Sequence, residues 1–335
     1  MKSFPLLALL ISLAACSNSC GSSRSVAGGG GGGANCNFQT GGDCSITVNG
    51  VTRKFLLHIP ANFQPNKSAL VVALHGSQGD GMQMQTQSQL SVKADSVGFA
   101  VAYPTGLPSA QGHTLWSVYF NDFAFAGTPP DDVAFLRAMI SAIQANVHPD
   151  AKKIYVAGFS IGGYMTHRAA VELSDLVAAV GVVEGAISAI APSDSRTVPT
   201  VVAPVSVLIL HGSADTAIDY CGSATATSVL ASQEQAFNYW VGPKANKCST
   251  LSTPNPLCDS AGNITAVNVK VATGCTDGVE VRFYKLTGGT HQWYNLDLNN
   301  PPGTASAPYN SGFDSSTGIV TDDILWNFFS NHPKP

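Results

Sequence analysis

Hydrophobic residues fall along this chain in short, closed blocks separated by polar, turn-rich segments. Ala69 to His75 (ALVVALH), Phe99 to Tyr103 (FAVAY), Val177 to Val183 and Val205 to Leu210 (VSVLIL) are nearly continuous apolar runs, and Lys152 to Gly163 (KKIYVAGFSIGG) opens on another. Runs of that length, with no alternation, suit strands covered on both faces of a parallel sheet. Val51 to Pro60 and Val279 to Leu286 (VEVRFYKL) alternate instead, as half-covered strands do. Between the blocks the period lengthens. Met82 to Val97, the segment holding Tyr164, Met165, Ala169 and Leu173, Thr227 to Trp240, and Thr321 to Phe329 read as helices. A further helix follows Asp131-Asp132, which cap it, with Val133, Leu136, Met139, Ile140 and Ile143 on one face. Strands alternating with helices predict an α/β fold: a mostly parallel, doubly wound sheet flanked by helices, in a single domain. Residues 104–130 break the pattern with an irregular loop that carries Trp116, Tyr119, Phe120, Phe123 and Phe125.

The N-terminus is patterned differently. Lys2 precedes an apolar stretch from Phe4 to Leu13, which is short for a bilayer span, and residues 1–15 read as a signal peptide. It ends Leu13-Ala14-Ala15-Cys16, which is similar to a bacterial lipobox and implies lipidation of Cys16; plain cleavage beside an Ala-x-Ala-like site is the alternative. Residues 16–34, rich in Ser and Gly, form a tether, and the catalytic domain is expected over 35–335. Either route predicts an extracytoplasmic protein, secreted or held to the cell envelope by lipid alone.

Only 11% of the 335 residues are charged, and the net charge is -4, so the chain carries no nucleic-acid footprint. Eight cysteines in an exported chain point to disulfides. No C-x-x-C pair occurs and no histidine sits at ligand spacing, so neither metal nor organic cofactor is expected. With Cys16 lipidated and Cys20 in the tether, Cys36–Cys44 is expected as a local staple. Cys248–Cys275 and Cys221–Cys258 are favoured among the other four, although connectivity does not follow from sequence.

The chemistry concentrates at Gly158-Phe159-Ser160-Ile161-Gly162, where a strand gives way to a helix. G-x-S-x-G at such a junction is a nucleophile elbow: the serine is strained, the glycines remove clashes, and the helix N-terminus faces a developing anion. A serine nucleophile needs a histidine base and an orienting acid, here expected in the order Ser, acid, His at the ends of strands. Asp215 follows the run ending at Leu210, with Asp219 as second choice in the same loop and Asp277 set aside at a turn. His291 follows the run ending at Leu286 and lies beyond the other two. Backbone amides of Ile161 and Ser77 (or Gly76) are the expected oxyanion donors. His75 and His211, each before a glycine at a strand end, are expected to be partly buried and satisfied by backbone.

The motifs LVVALHG, AYPTG, DDVAFLRAMI, IYVAGFSIGGYM, LILHGSADTAIDY, GVEVRFYKLTGGTHQW and WNFFSNHP occur in that order. Together they resemble the secreted polyhydroxybutyrate depolymerase/feruloyl esterase group of α/β-hydrolases, over about residues 45 to 333. The resemblance implies the triad Ser160, Asp215, His291, an ester substrate and a Cys248–Cys275 bridge. The chain departs from that pattern at Ser77, where a cysteine is common, and at GGTHQWYN, where GGGHxWPG is usual. The loop around Trp116 also lacks a cysteine often found there. Trp116 and Trp293 are expected either to flank an aromatic or sugar-linked ester or, for Trp116 equally, to pack internally. The expected function is an exported serine carboxylic-ester hydrolase acting on a feruloyl ester or a hydroxyalkanoate oligomer. A serine peptidase on the same fold and a catalytically inactive surface-binding protein are the competing readings.

Overall fold

The computed structural model describes residues 34–118, 124–189, 201–224, 229–250, 266–294 and 320–335, which belong to one compact unit spanning Gly32–Pro335. Residues 1–33, with the expected signal peptide, Cys16 and most of the tether, lie outside the described residues, as do Tyr119, Phe120, Phe123 and Cys258. No helix among the described residues is long and apolar enough to cross a membrane.

The chain opens with an antiparallel pair, β1 (Gly42–Val48) and β2 (Val51–His58), turned at Asn49-Gly50 with both residues at positive φ. The fully buried runs become β3 (Leu70–Leu74) and β4 (Ala100–Pro104), joined through helices α1 (Gly81–Ser88) and α2 (Leu90–Val97). A two-residue hairpin, β5 (Leu107–Pro108) with β6 (Thr114–Leu115), starts the loop expected to be irregular. Then come α3 (Asp132–Val147), β7 (Ile154–Phe159), α4 (Ile161–Glu172) and β8 (Ala179–Val183). The short β9 (Ser188–Ala189) precedes β10 (Ser206–Gly212) and pairs with β12 (Val229–Leu230), itself paired with β11 (Ser223–Ala224). Helix α5 (Gln233–Val241), the hairpin β13 (Ala266–Ala272) and β14 (Val281–Thr287), and α6 (Thr321–Asn331) complete the order.

The main sheet runs β1-β2-β4-β3-β7-β8-β10-β14-β13. Its interior is parallel from β4 to β14, and antiparallel strands close both edges. Alternate residues of each strand feed opposite cores. Leu70, Val72 and Leu74 face α3, α4 and α5, where Phe135, Met165 and Phe237 are buried. Val71 and Ala73 face α1, α2 and α6, with Met84, Leu90, Leu325 and Phe328.

Three expectations needed correction. The helix over Met82–Val97 is two helices, because Gln89 takes a left-handed conformation (φ 53°) between them. The helix expected from Thr227 starts at Gln233, where Ser232 and Gln235 form a reciprocal capping box. Strand β13 escaped notice because its burial runs against its hydrophobicity: Lys270 is buried on an ion pair with Glu234, while Val269 is 47% exposed.

The cap at Asp131 is as expected, its side chain accepting from Ala134 N at 2.9 Å. Asp132 does something else. It is fully buried, pairs with Arg53 of β2 at 2.6 Å and accepts from Ser117 N at 2.8 Å, while the guanidinium lies over the Phe135 ring. This pair ties the edge strands to α3 and to the loop leading from β6. Removing one partner leaves a buried, uncompensated charge, so Asp132→Ala is expected to cost about 3–5 kcal/mol, read as a lowered midpoint in urea. The double change Arg53→Met with Asp132→Leu is expected to recover most of that loss.

Candidate active site

Strand β7 delivers Ser160 onto a turn with φ 56° and ψ −122°, a conformation that a serine rarely holds, and α4 begins at the next residue. The motif glycines are required by distance. A Cβ on Gly158 would lie 2.2 Å from Gly162 O, and one on Gly162 would lie 2.3 Å from Leu74 O. Ser160 N donates to Val183 O at 3.0 Å, which fixes the turn against the end of β8. Ser160 and Ile161 remain partly exposed.

The loop after β3 lies over this turn: a Cβ on Gly76 would stand 3.4 Å from Ser160 Cβ. His75 holds the loop. Its ring is buried, with Nδ1 2.7 Å from Gly76 O and Nε2 accepting from Gly106 N at 2.9 Å. Nδ1 therefore carries the proton. Burial lowers the ring's pKa to about 4, against the raising pull of Gly76 and Asp80, so the ring is neutral. Because a trans peptide sets C=O and N–H in opposite directions, the bond to Gly76 O turns the exposed Ser77 N–H away from the His75 ring.

Asp215 and His291 lie on turns stitched to each other. Ser213 N and Ala214 N donate to Leu286 O and Gly289 O, both at 2.9 Å. Gly288 N donates to Ser213 Oγ at 2.8 Å, and a Cβ on Gly212 would stand 2.2 Å from Gly289 O. The outcome is a 2.7 Å hydrogen bond from His291 Nδ1 to Asp215 Oδ2. Asp215 Oδ1 accepts from Ala217 N at 2.7 Å and Ile218 N at 2.9 Å. Burial pushes the Asp215 carboxyl upward, but the hydrogen bond and charge of His291 and the Ile218 amide outweigh it and hold the group below its ordinary range. His291 is 22% exposed, and its ring packs on Phe159, the neighbour of Ser160, at 4.9 Å between centroids.

Asp219 caps a turn through Cys221 N, and Asp277 lies in a short exposed turn, so neither approaches the histidine as Asp215 does. His211 is buried, with Nε2 2.8 Å from Ile218 O. Trp116 follows the packing alternative of its two expected readings, and Trp293 is a correction. They are 0% and 1% exposed, and Trp116 donates its indole N–H to His75 O at 2.9 Å. Both are core side chains; neither presents a face to a substrate. Two of the expected disulfides are formed, Cys36–Cys44 and Cys248–Cys275. Cys221 is also disulfide-bonded, and its expected partner Cys258 lies outside the described residues.

One residue of the site went unread in the sequence. Glu184, at the end of β8, is fully buried at φ 46°, and its oxygens accept from Gly212 N at 2.9 and 3.0 Å. Burial, with Asp215 nearby, raises its carboxyl well above the usual range. Its signal was present: an acid between the buried run Val180–Val183 and Gly185, at the carboxyl end of a strand, as Asp215 is. Glu184, Asp215 and His291 each bring a potential ligand atom within 4.8 Å of the others, a donor set of the kind that holds a divalent cation. Those atoms are committed to one another and to backbone, and a carboxyl favouring its proton is a poor ligand.

Over residues 54–233, more than half of the chain, the sequence matches the family described as esterase PHB depolymerase. It is 28% identical over 265 residues to NocK of Nocardia uniformis subsp. tsuyamanensis, named as an esterase candidate, covering 74% of this chain and 72% of that protein. It is 28% identical over 245 residues to feruloyl esterase B of Piromyces equi, covering 71% of this chain and 42% of the longer relative. In solved structures, the acetyl xylan esterase from Aspergillus awamori shares the fold, with TM-score 0.51, 18% identity, and 83% and 94% of the two chains covered. The chain belongs to the esterase PHB depolymerase family of α/β-hydrolases and is a carboxylic-ester hydrolase.

Proposed function

We propose that ester cleavage proceeds through an acyl-enzyme on Ser160, with His291 as the base and Asp215 as its orienting acid. The observation that carries this reading is the 2.7 Å bond from His291 Nδ1 to a buried, ionised Asp215, beside a serine strained at a strand–helix turn. With Nδ1 committed as donor, Nε2 is the nitrogen left to take the Ser160 proton. Ser160 Oγ attacks the carbonyl carbon, and the tetrahedral oxyanion is met by the amides of Ile161 and Ser77. His291 then returns the proton to the leaving alcohol. Water, deprotonated by the same nitrogen, releases the acid and restores Ser160.

The substrate class proposed is a feruloyl-type ester of plant cell-wall material, supported by the relatives named feruloyl esterase. A hydroxyalkanoate oligomer is the second reading, favoured by the family match. Specificity then lies in the rim formed by the exposed Ser77 and the half-buried Gln292, since Trp116 and Trp293 are internal. Export is also proposed, with two described disulfides in its support, and with it a lipid anchor on Cys16.

Initial rates on methyl ferulate and on a short hydroxybutyrate oligomer, measured for the parent and for Ser160→Ala, test the assignment. Faster ferulate release is expected, falling by about 10^4-fold or more in the mutant. Faster oligomer cleavage would reassign the substrate, and a mutant within a few-fold of the parent would sink the mechanism. Asp215→Asn is expected to lower kcat by about 10^3- to 10^4-fold with little change in KM, because the amide cannot hold the imidazolium. It also removes a carboxyl whose folded pKa is depressed. The associated stability is present above the unfolded carboxyl range and is lost as pH falls through the folded value. Urea midpoints of parent and mutant should therefore differ near neutral pH and converge in strong acid.

A further inference from the structure

The proposed reaction leaves one carboxyl of the site without a role. Glu184 has no solvent exposure, and its backbone departs from β8 in a left-handed conformation with its N–H on Leu210 O at 2.9 Å. That turn carries the side chain beneath the loop that bears Asp215, where Gly212 N lies between its two oxygens. Asp215 and His211 face it from β10 and the turn beyond. His291 and Tyr294 face it from the segment after β14, and Tyr294 turns its hydroxyl proton to Thr290 O. From α4, His167 stands behind His211.

None of these neighbours is a lysine or arginine, and the two buried histidines are neutral. Burial lowers His211 to about 4, despite Asp215, and His167 to about 3. Two carboxyls in contact, away from water and without a fixed cation, do not both ionise. The hydrogen bonds decide which holds the proton. Asp215 accepts from His291, Ala217 and Ile218, three N–H donors. Glu184 accepts from one amide shared between its oxygens, and the Tyr294 hydroxyl, its other neighbouring donor, shares its single proton with Thr290 O. The charge belongs on Asp215.

We propose that Glu184 is held as a neutral carboxylic acid whose O–H donates to Asp215, making it the positioning residue of the Asp215–His291 pair. The inference rests on the triad reading above. A neutral donor fixes the carboxylate from the side away from His291 without adding charge. An ionised Glu184 would put a second negative charge near His291 and hold its imidazolium, hindering return of the proton to the leaving group. The distinction therefore lies in protonation as well as shape.

The test compares kcat, KM and the pH profile of kcat/KM on methyl ferulate or the oligomer, whichever the parent turns over, for parent, Glu184→Leu, Glu184→Gln and Ser160→Ala. Glu184→Leu is expected to lose about 10- to 100-fold in kcat at little-changed KM, the size of a hydrogen bond to a charged group. Its acid limb should move to higher pH, because Asp215 keeps its full charge for His291. Glu184→Gln, which restores a neutral donor, should recover most of the rate and leave the acid limb in place. A fall of the acid limb by about one unit or more in Glu184→Gln would show that the parent residue is charged and overturn the inference. So would a Glu184→Leu protein with the parent's rate and profile. Should Glu184→Leu not fold, infrared difference spectra of parent against Glu184→Gln at neutral pH decide. A protonated-carboxyl stretch present only in the parent supports the proposal, and its absence from the parent overturns it. An active Ser160→Ala protein would overturn the site's assignment itself, separately from the Glu184 arms.

Discussion

Placing one negative charge beneath the surface, on Asp215, is the demand around which the carboxyl end of this sheet is built. A carboxylate buried without partners is penalised by several kcal/mol, and a hydrogen bond to a charged group returns about 1.5–3 kcal/mol. Asp215 has three N–H donors, two of them from its own turn and the third from His291. The Ala217 and Ile218 amides need only local chain folding. The His291 bond needs two strands to end in register, which is why the turn after β10 and the turn after β14 share three hydrogen bonds and pack so closely that a Cβ on Gly212 would stand 2.2 Å from Gly289 O. The geometry proposed for catalysis is thus a by-product of solving the burial of a charge.

A second constraint is steric and lies two strands away. The turn at Ser160 works only because β3, β7 and α4 approach more closely than any side chain permits. Gly162 sits against Leu74 O and His75 O, and Gly158 against Gly162 itself. The same close approach brings the loop after β3 over the serine. His75 and Trp116 then set that loop from below, the ring bridging Gly76 and Gly106 and the indole holding His75 O. Trp116, which from sequence could equally have flanked a substrate, is a support under the proposed oxyanion donors.

This explains what was legible and what was not. The uninterrupted apolar runs marked β3, β4, β7, β8 and β10, since a strand covered by helices on both faces has no solvent side to record, while β14, parallel to β10 but half covered, was marked by its alternation. The elbow and the two strand-end loops were legible for a related reason: G-x-S-x-G and the order Ser, Asp, His are imposed by topology, and topology survives in spacing. What failed was anything decided by contact across the fold. Lys270 is buried because Glu234 lies opposite, so β13 reads backwards. Asp132 was expected to share the cap with Asp131 and is instead the partner of Arg53, a residue 79 positions away. The depth of Trp116 depends on His75, and nothing in the local sequence distinguishes an exposed tryptophan from a buried one in a loop.

Glu184 joins both halves of the argument. An ionisable residue at the end of a fully buried strand is costly unless it is neutral or paired, and the base that faces it, His211, is itself held neutral by burial. It persists where its oxygens cover Gly212 N, the last amide of β10, and where its neighbour is the one charge the site must keep in place. Neutrality is what makes that neighbourhood tenable. A charged residue there would repel Asp215, and an aliphatic one would strip a donor from it and leave Gly212 N unsatisfied in the interior. The two carboxyls have the same chemistry and differ in the number of N–H groups aimed at them. By that difference alone, one is fitted to orient a base and the other to hold it steady.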